Sequence, residues 1–256
     1  MPPPQGLQLD RVVLLGRTYD EYVRFFGLTE KAMRGLKILD AAAGVSSFTA
    51  EARQRGLNAT AFDRIYEMPA GAIEKQSSRD LDEVARNIGD KSVYRWGFYK
   101  SPQGMRSYRA RAAETFLKDF QSHSQHYVPG SLPSAPFADG QFDLTLVSYL
   151  LFVYEDQLTF DFHKQSLREL LRVSREIRIY PTVTFEAHPS TFLDLLRNDA
   201  DFRDCSFVEV TTDFEFLRNS NRFLKVTRHA PPAARHYRAS RSITSAFPAE
   251  GGCLGL

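Results

Sequence analysis

LKILDAAAGVSS, Leu36–Ser47, is the stretch on which the fold turns, together with NATAFD, Asn58–Asp63, which follows at a strand's distance. The apolar pair Ile38 and Leu39 closes on Asp40. Small residues and Gly44 then lead into a segment of helical pattern, Phe48–Arg55, which stops at Gly56. This order predicts a strand, a tight turn and a helix. Small side chains at such a turn let the backbone approach a ligand, and the free N–H groups that open the helix can face it. A second apolar strand ends on Asp63, where an acidic side chain can accept from both hydroxyls of a ribose.

A dinucleotide-type GxGxxG reading fits poorly, because positions 42 and 46 are Ala and Ser. Asp40–Ser46 instead resembles motif I of the class I S-adenosylmethionine-dependent methyltransferases, an acidic residue followed by GxGxG. Asp40 matches the acid and Gly44 the middle glycine, with Ala42 and Ser46 in place of the outer two. The segment Tyr127–Tyr154, with PFADGQFDLTLV at Pro136–Val147, is similar to the approach to strand 4 in the same family. The resemblance implies an α/β fold: a Rossmann-like, mostly parallel seven-stranded sheet with a terminal antiparallel hairpin. It also implies S-adenosylmethionine as cofactor, with Asp40, Ala42, Gly44, Ser46 and Asp63 in its site. Ser131 takes the place where many members hold the adenine amino group with an acid.

Composition bounds the partners. The 256 residues carry 33 basic against 31 acidic side chains, a formal net charge of +2, which argues against a nucleic-acid partner recruited by bulk charge. Cys205 and Cys253 alone make neither a zinc site nor a disulfide framework, so no metal is expected and a reducing cytoplasm fits. The apolar run Phe142–Tyr154 is too short to span a bilayer.

Three parts are expected: a helical N-terminal segment, 1–35, mobile over its Pro-rich first ten residues; a cofactor-binding domain, 36–229; and a disordered tail, 230–256. Thr18 and Glu21 form a capping-box pattern ahead of Tyr19, Tyr22, Val23 and Phe26. Residues 64–126 exceed what one crossover helix needs and read as a helical lid. Met105, Tyr108, Ala112, Phe116 and Phe120 mark one apolar helical face there. Six Lys or Arg from Lys91 to Arg111 lie among aromatics that include Trp96, the sole tryptophan. An RNA platform is the lesser reading of that mixture, and buried lid aromatics are the default. Further strands are expected near Tyr127–Val128, at Phe142–Val147, at Glu176–Tyr180, and at Phe207–Phe216 paired with Arg222–Arg228. Helices are expected at Asp161–Ser174, with His163 on the surface, and at Ser190–Arg197.

After the fourth strand comes Ser148-Tyr149-Leu150-Leu151-Phe152, where the resemblance puts the group to be modified. Enzymes of the family that methylate adenine amino groups carry Asp or Asn, then Pro-Pro and an aromatic at this place. Cytosine C5 enzymes need a nearby nucleophilic Cys. Their absence points to a small-molecule substrate. Ligands of open α/β sheets sit at the carboxyl ends of strands, which favours Tyr180 and Tyr149 as orienting groups over Tyr154 and Glu186. His188 is the histidine best placed for proton transfer. Ser148, Trp96, Tyr94 and Tyr99 complete the candidates near the cofactor, with Tyr19 and Tyr22 as secondary ones.

Methyl transfer to a small molecule is the leading function. A fold relative similar to azetidine-2-carboxylate synthases, which closes S-adenosylmethionine on itself and expels methylthioadenosine, is the alternative, and a non-catalytic binding module the third reading. The sequence leaves the acceptor and the oligomeric state open.

Overall fold

A computed structural model describes residues 7, 9–88 and 92–229. The expected tail, 230–256, lies outside the described residues, as do Lys91 and Cys253.

Seven strands form one sheet in the order β3-β2-β1-β4-β5-β7-β6, with β1 Lys37–Ala41, β2 Asn58–Asp63, β3 Tyr127–Pro129, β4 Phe142–Ser148, β5 Ser174–Tyr180, β6 Cys205–Thr211 and β7 Arg222–Arg228. Strands β3, β2, β1, β4 and β5 are parallel, and β7 runs antiparallel to both β5 and β6. This is the Rossmann-like α/β arrangement with a terminal antiparallel hairpin. The chain leaves β1 toward β2 on one side and later returns to β4 on the other. A crevice for a ligand therefore opens at the carboxyl ends of β1 and β4.

Strand alternation divides the core between the two faces of the sheet. Ile38, Leu144 and Leu146 pack on the side of α1 Tyr19–Phe25 and α3 Phe48–Gln54. Leu39, Ala41, Val147, Ile177 and Ile179 face α6 Phe160–Val173 and α7 Thr191–Arg197. The capping box forms at Thr18 and Glu21, and a short α2, Glu30–Met33, precedes β1. Between β2 and β3 lie a 3-10 turn, Arg64–Glu67, and two helices packed on each other, α4 Ala70–Asn87 and α5 Pro102–Ser122.

Four expectations are corrected. Residues 10–18 of the N-terminal segment are not helical, and Leu7 and Leu9, within the stretch expected to be mobile, are buried. The β6 strand ends at Thr211 and not at Phe216. Phe214 and Phe216 leave the sheet edge and turn into the aromatic core, where Arg95 N donates to the Phe216 carbonyl at 2.7 Å. His163 is fully buried, because its Nε2 accepts from Phe152 N at 2.9 Å and its Nδ1 lies 2.9 Å from the Thr159 carbonyl. The buried face of α5 holds Arg109 beside Met105, Ala112 and Phe116, while Tyr108 is only partly buried.

Phe25 lies at the centre of the aromatic core, stacked on Tyr180 at 4.4 Å and set edge-on to Phe214 at 4.8 Å. Phe25→Ala removes a fully buried ring and should cost about 3–5 kcal/mol in denaturant unfolding. A loss below about 1 kcal/mol would mean that this stack does not anchor α1.

Candidate active site

The carboxyl ends of β1, β2, β3 and β4 open into a cavity of about 1020 Å³. Its floor includes Ala42, Gly44, Asp63, Ser131, Ser148 and Tyr149. Its roof is the non-helical strap Arg11–Arg17 with α4 and the first half of α5. Asp80 on α4 pins the strap by accepting from Arg11 Nη2 at 2.8 Å and Leu14 N at 2.6 Å. The Tyr154 hydroxyl accepts from Val13 N at 3.2 Å.

The turn after β1 is built for close approach. Ala42 and Gly44 both have left-handed backbone, φ 54° and 55°, which Gly44 adopts without strain. At Gly16 a Cβ would stand 2.2 Å from the Val45 carbonyl oxygen, so the strap lies directly on this turn. Ser46 Oγ and Ser47 N donate to the Arg17 carbonyl at 2.9 and 3.0 Å.

Asp63 braces the same turn. Its Oδ2 accepts from Gly44 N at 2.9 Å and its Oδ1 from Ile65 N at 3.0 Å. Burial pushes its carboxyl up, and these two backbone donors counter part of that shift. A carboxylate has about four acceptor positions, so each oxygen retains capacity toward the cavity.

Asp40 sits behind the wall. Its Oδ1 accepts from the Tyr22 hydroxyl at 2.8 Å, Oδ2 has no partner, and Tyr22 itself faces the cavity. Burial pushes the Asp40 carboxyl up to about 8 against the opposing Tyr22 hydrogen bond, with the Asp63 charge adding to the rise.

Glu21 and Arg109 form a buried ion pair at 2.5 Å beneath the roof. Glu21 also accepts from Thr18 N at 2.7 Å, from Thr18 Oγ1 at 2.9 Å and from the Tyr99 hydroxyl. Burial alone would raise the Glu21 carboxyl, but Arg109 and Arg17 outweigh it and hold it below the usual range. Arg17 lies with its guanidinium 4.1 Å from the Tyr149 ring centroid. Burial, and then the Arg109 cation, push its pKa down.

The structure gathers Ala42, Gly44, Asp63, Ser131, Ser148 and Tyr149 around one cavity, with Ser46 and Asp40 just behind it. Ser148 Oγ and the Tyr149 hydroxyl are buried without partners, and Tyr149 has φ 55°. Three expected site residues stand elsewhere. Tyr180 is fully buried under Phe25 with its hydroxyl 3.0 Å from Ser220 Oγ, because it occupies the strand face that α1 covers. Trp96 packs against Tyr94 and Phe216, which face the cavity, and itself stands behind them. His188 is 75% exposed in the loop after β5, 3.8 Å from Glu186, so it cannot serve as a base in the cavity. Among the secondary candidates, Tyr19 stacks on Phe48 and Tyr99 is engaged with Glu21.

Arg17 and Arg109 escaped the sequence reading. Arg109 left a signal, a charge spaced four residues after Met105 and three before Ala112 on an apolar face. Arg17 left none, since its setting is created by residues distant in sequence. Of the basic residues behind the RNA reading, Arg109 pairs with Glu21, Arg106 pairs with Asp82 at 2.7 Å, and Arg111 lies 4.7 Å from the Tyr108 ring centroid.

The fold is an α/β one of the Rossmann-like class, with a cavity at its strand ends. The chain belongs to the same family as the uncharacterized protein MJ0045 of Methanocaldococcus jannaschii, to which it is 36% identical over 224 residues, 87% of this chain and 99% of that one. No family model matches the chain. Among solved structures it is similar to magnesium protoporphyrin IX methyltransferase ChlM from Synechocystis PCC 6803 with bound S-adenosylmethionine, at TM-score 0.42 and 13% identity over 82% of this chain and 77% of that one. It is also similar to the bifunctional kinase-methyltransferase WbdD, at TM-score 0.43 and 12% identity over 82% of this chain, and spans 38% of WbdD's length. No helix among the described residues is long and apolar enough to cross a membrane.

The Asp40 environment gives a pH test. With its pKa raised to about 8, the folded protein holds a proton that the unfolded chain releases in the ordinary carboxylate range. Stability is full below that range, falls as pH rises toward about 8, and levels off above it. Each unit of displacement corresponds to about 1.4 kcal/mol, so the fall is on the order of several kcal/mol. Urea unfolding at pH 5, 6.5 and 8 should show Asp40→Asn losing less stability with pH than the wild type, and parallel slopes would remove Asp40 as the titrating group.

Proposed function

We propose that the protein is an S-adenosylmethionine-dependent enzyme that transfers the methyl group to a small molecule held in the same cavity. The observation that carries this reading is Asp63, an acid at the end of β2 on the cavity wall, hydrogen-bonded to Gly44 of the turn after β1. That placement suits a carboxylate that accepts from ribose hydroxyls while the turn Ala42–Ser46 holds the amino-acid end. Ser131, exposed at the rim, would lie on the adenine side. Ser148 and Tyr149 supply unpartnered hydroxyls where the acceptor would meet the methyl group.

The cofactor supplies an electrophilic sulfonium methyl and leaves as S-adenosylhomocysteine. The chain's part is to align the acceptor in line with the methyl–sulfur bond and to exclude water. The strap does this by closing the roof through Asp80 and Tyr154, and α4 and α5 act with it as the lid. A cavity of about 1020 Å³ stands at the top of the range for one ligand, roughly 300–1,000 Å³, which leaves room for an acceptor beside the cofactor. That space favours methyl transfer over cyclisation of S-adenosylmethionine on itself, which needs no second molecule.

Calorimetry should show that Asp63→Ala weakens S-adenosylmethionine by about 2–4 kcal/mol, as expected for lost hydrogen bonds to a charged group. Unchanged affinity in a folded variant would remove Asp63 from the site. Turnover is tested by mass spectrometry of S-adenosylmethionine incubated alone and with a small-molecule extract. S-adenosylhomocysteine that forms only with the extract supports methyl transfer. Methylthioadenosine from S-adenosylmethionine alone would establish cyclisation instead, and cofactor unchanged in both would leave a binding module.

A further inference from the structure

Buried cations in folded proteins are ordinarily paired, since an uncompensated charge away from water is costly. Arg17 breaks that rule inside the cavity. It keeps 9% of its exposure, and no carboxylate among the described residues lies within ion-pair distance of it. Its Nη1 is occupied by two carbonyls of its own strap, Leu15 at 2.8 Å and Gly16 at 3.3 Å, while Nε has no acceptor. Glu21, four positions along the chain, is already engaged by Arg109, Tyr99 and Thr18. Two guanidinium groups thus share one carboxylate, and of these three groups the Arg17 charge is left uncompensated at the cavity wall. Beside it stand two buried hydroxyls without partners, Tyr149, whose ring carries the guanidinium at 4.1 Å, and Ser148.

We propose that Arg17 is the receptor for a carboxylate group of a molecule bound in this cavity. A planar, singly charged group matches the guanidinium fork and the one uncompensated charge, and hydroxyl donors complete its shell. A dianion such as phosphate fits less well, because only one guanidinium charge is uncompensated and Asp63 already stands on the cavity wall. Stacking on Tyr149 holds the guanidinium in place, so a ligand does not have to order a free side chain. Two carboxylates qualify: that of the methionine end of the cofactor, which rests on the proposed function, and that of an acceptor, which stands on Arg17 alone.

The test uses S-adenosylhomocysteine and methylthioadenosine, which share adenosine and sulfur but of which only the first carries the amino-acid end with its carboxylate and ammonium, titrated calorimetrically into wild type, Arg17→Met and Arg17→Lys. A cofactor carboxylate on Arg17 makes Arg17→Met lose roughly tenfold to a hundredfold for S-adenosylhomocysteine and about twofold or less for methylthioadenosine. Arg17→Lys, which keeps the charge and loses the fork, should fall between. An acceptor carboxylate leaves both nucleosides unaffected; the complex with S-adenosylhomocysteine then binds octanoate in preference to octanamide, and Arg17→Met erases that preference. Either pattern supports the receptor. Equal weakening of both nucleosides, or no change together with no preference for octanoate, overturns it. Wild type that binds neither nucleoside defeats the cofactor reading instead, and octanoate against octanamide on the free protein then decides the receptor by itself. Melting of each variant verifies the fold, and if Arg17→Met does not fold, Arg17→Lys carries the same comparisons.

Discussion

The ion pair between Glu21 and Arg109 is the contact on which the architecture above the sheet depends. It joins three segments that the sequence keeps far apart: the capping box that starts α1, the strap whose Gly16 carbonyl also accepts from Arg109 at 3.3 Å, and the middle of α5. Both partners are nearly without solvent contact, and their remaining hydrogen-bonding capacity is taken up by Tyr99 and Thr18. Removal of one partner from such a pair typically costs about 3–5 kcal/mol, because the other is left charged and unpaired. The pair thus ties the strap and α5, which roof the cavity, to the start of α1.

The cavity has two chemically different sides. On one, Asp63 and the turn after β1 offer acceptors and close backbone. On the other, Arg17 and Arg109 bring cationic groups against Tyr149. Asp40, with its pKa raised to about 8, keeps a mostly neutral carboxyl behind the turn at neutral pH and so adds little negative charge to the first side. An amphiphilic ligand with hydroxyls at one end and an anionic group at the other fits this polarity.

Local signals carried most of the fold. The strand, turn and helix around Gly44, the acid Asp63 and the apolar β4 are each written within a few residues, and the structure assembles them in the expected order. Side-chain placement was less legible, because a strand end does not say which face a neighbouring helix will cover. Tyr180 sits at the end of β5, yet α1 claims its face. Tyr149, at the end of the adjacent strand, turns into the cavity through its left-handed backbone. His188 falls in a short loop closed on itself by Thr184 N, which donates to the His188 carbonyl at 2.9 Å, and its side chain is left at the surface. Arg17 was invisible for a different reason, since its unpaired state exists only once Arg109, 92 positions later in the chain, has taken Glu21.

The proposed function requires one ligand to span the floor from Asp63 to the turn after β1. A crystal of the protein soaked with S-adenosylhomocysteine should show ribose hydroxyls on the Asp63 carboxylate, the adenine toward Ser131 and the amino-acid end over Ala42–Ser46. Ligand density elsewhere on the protein, or none at millimolar ligand, would rule that placement out.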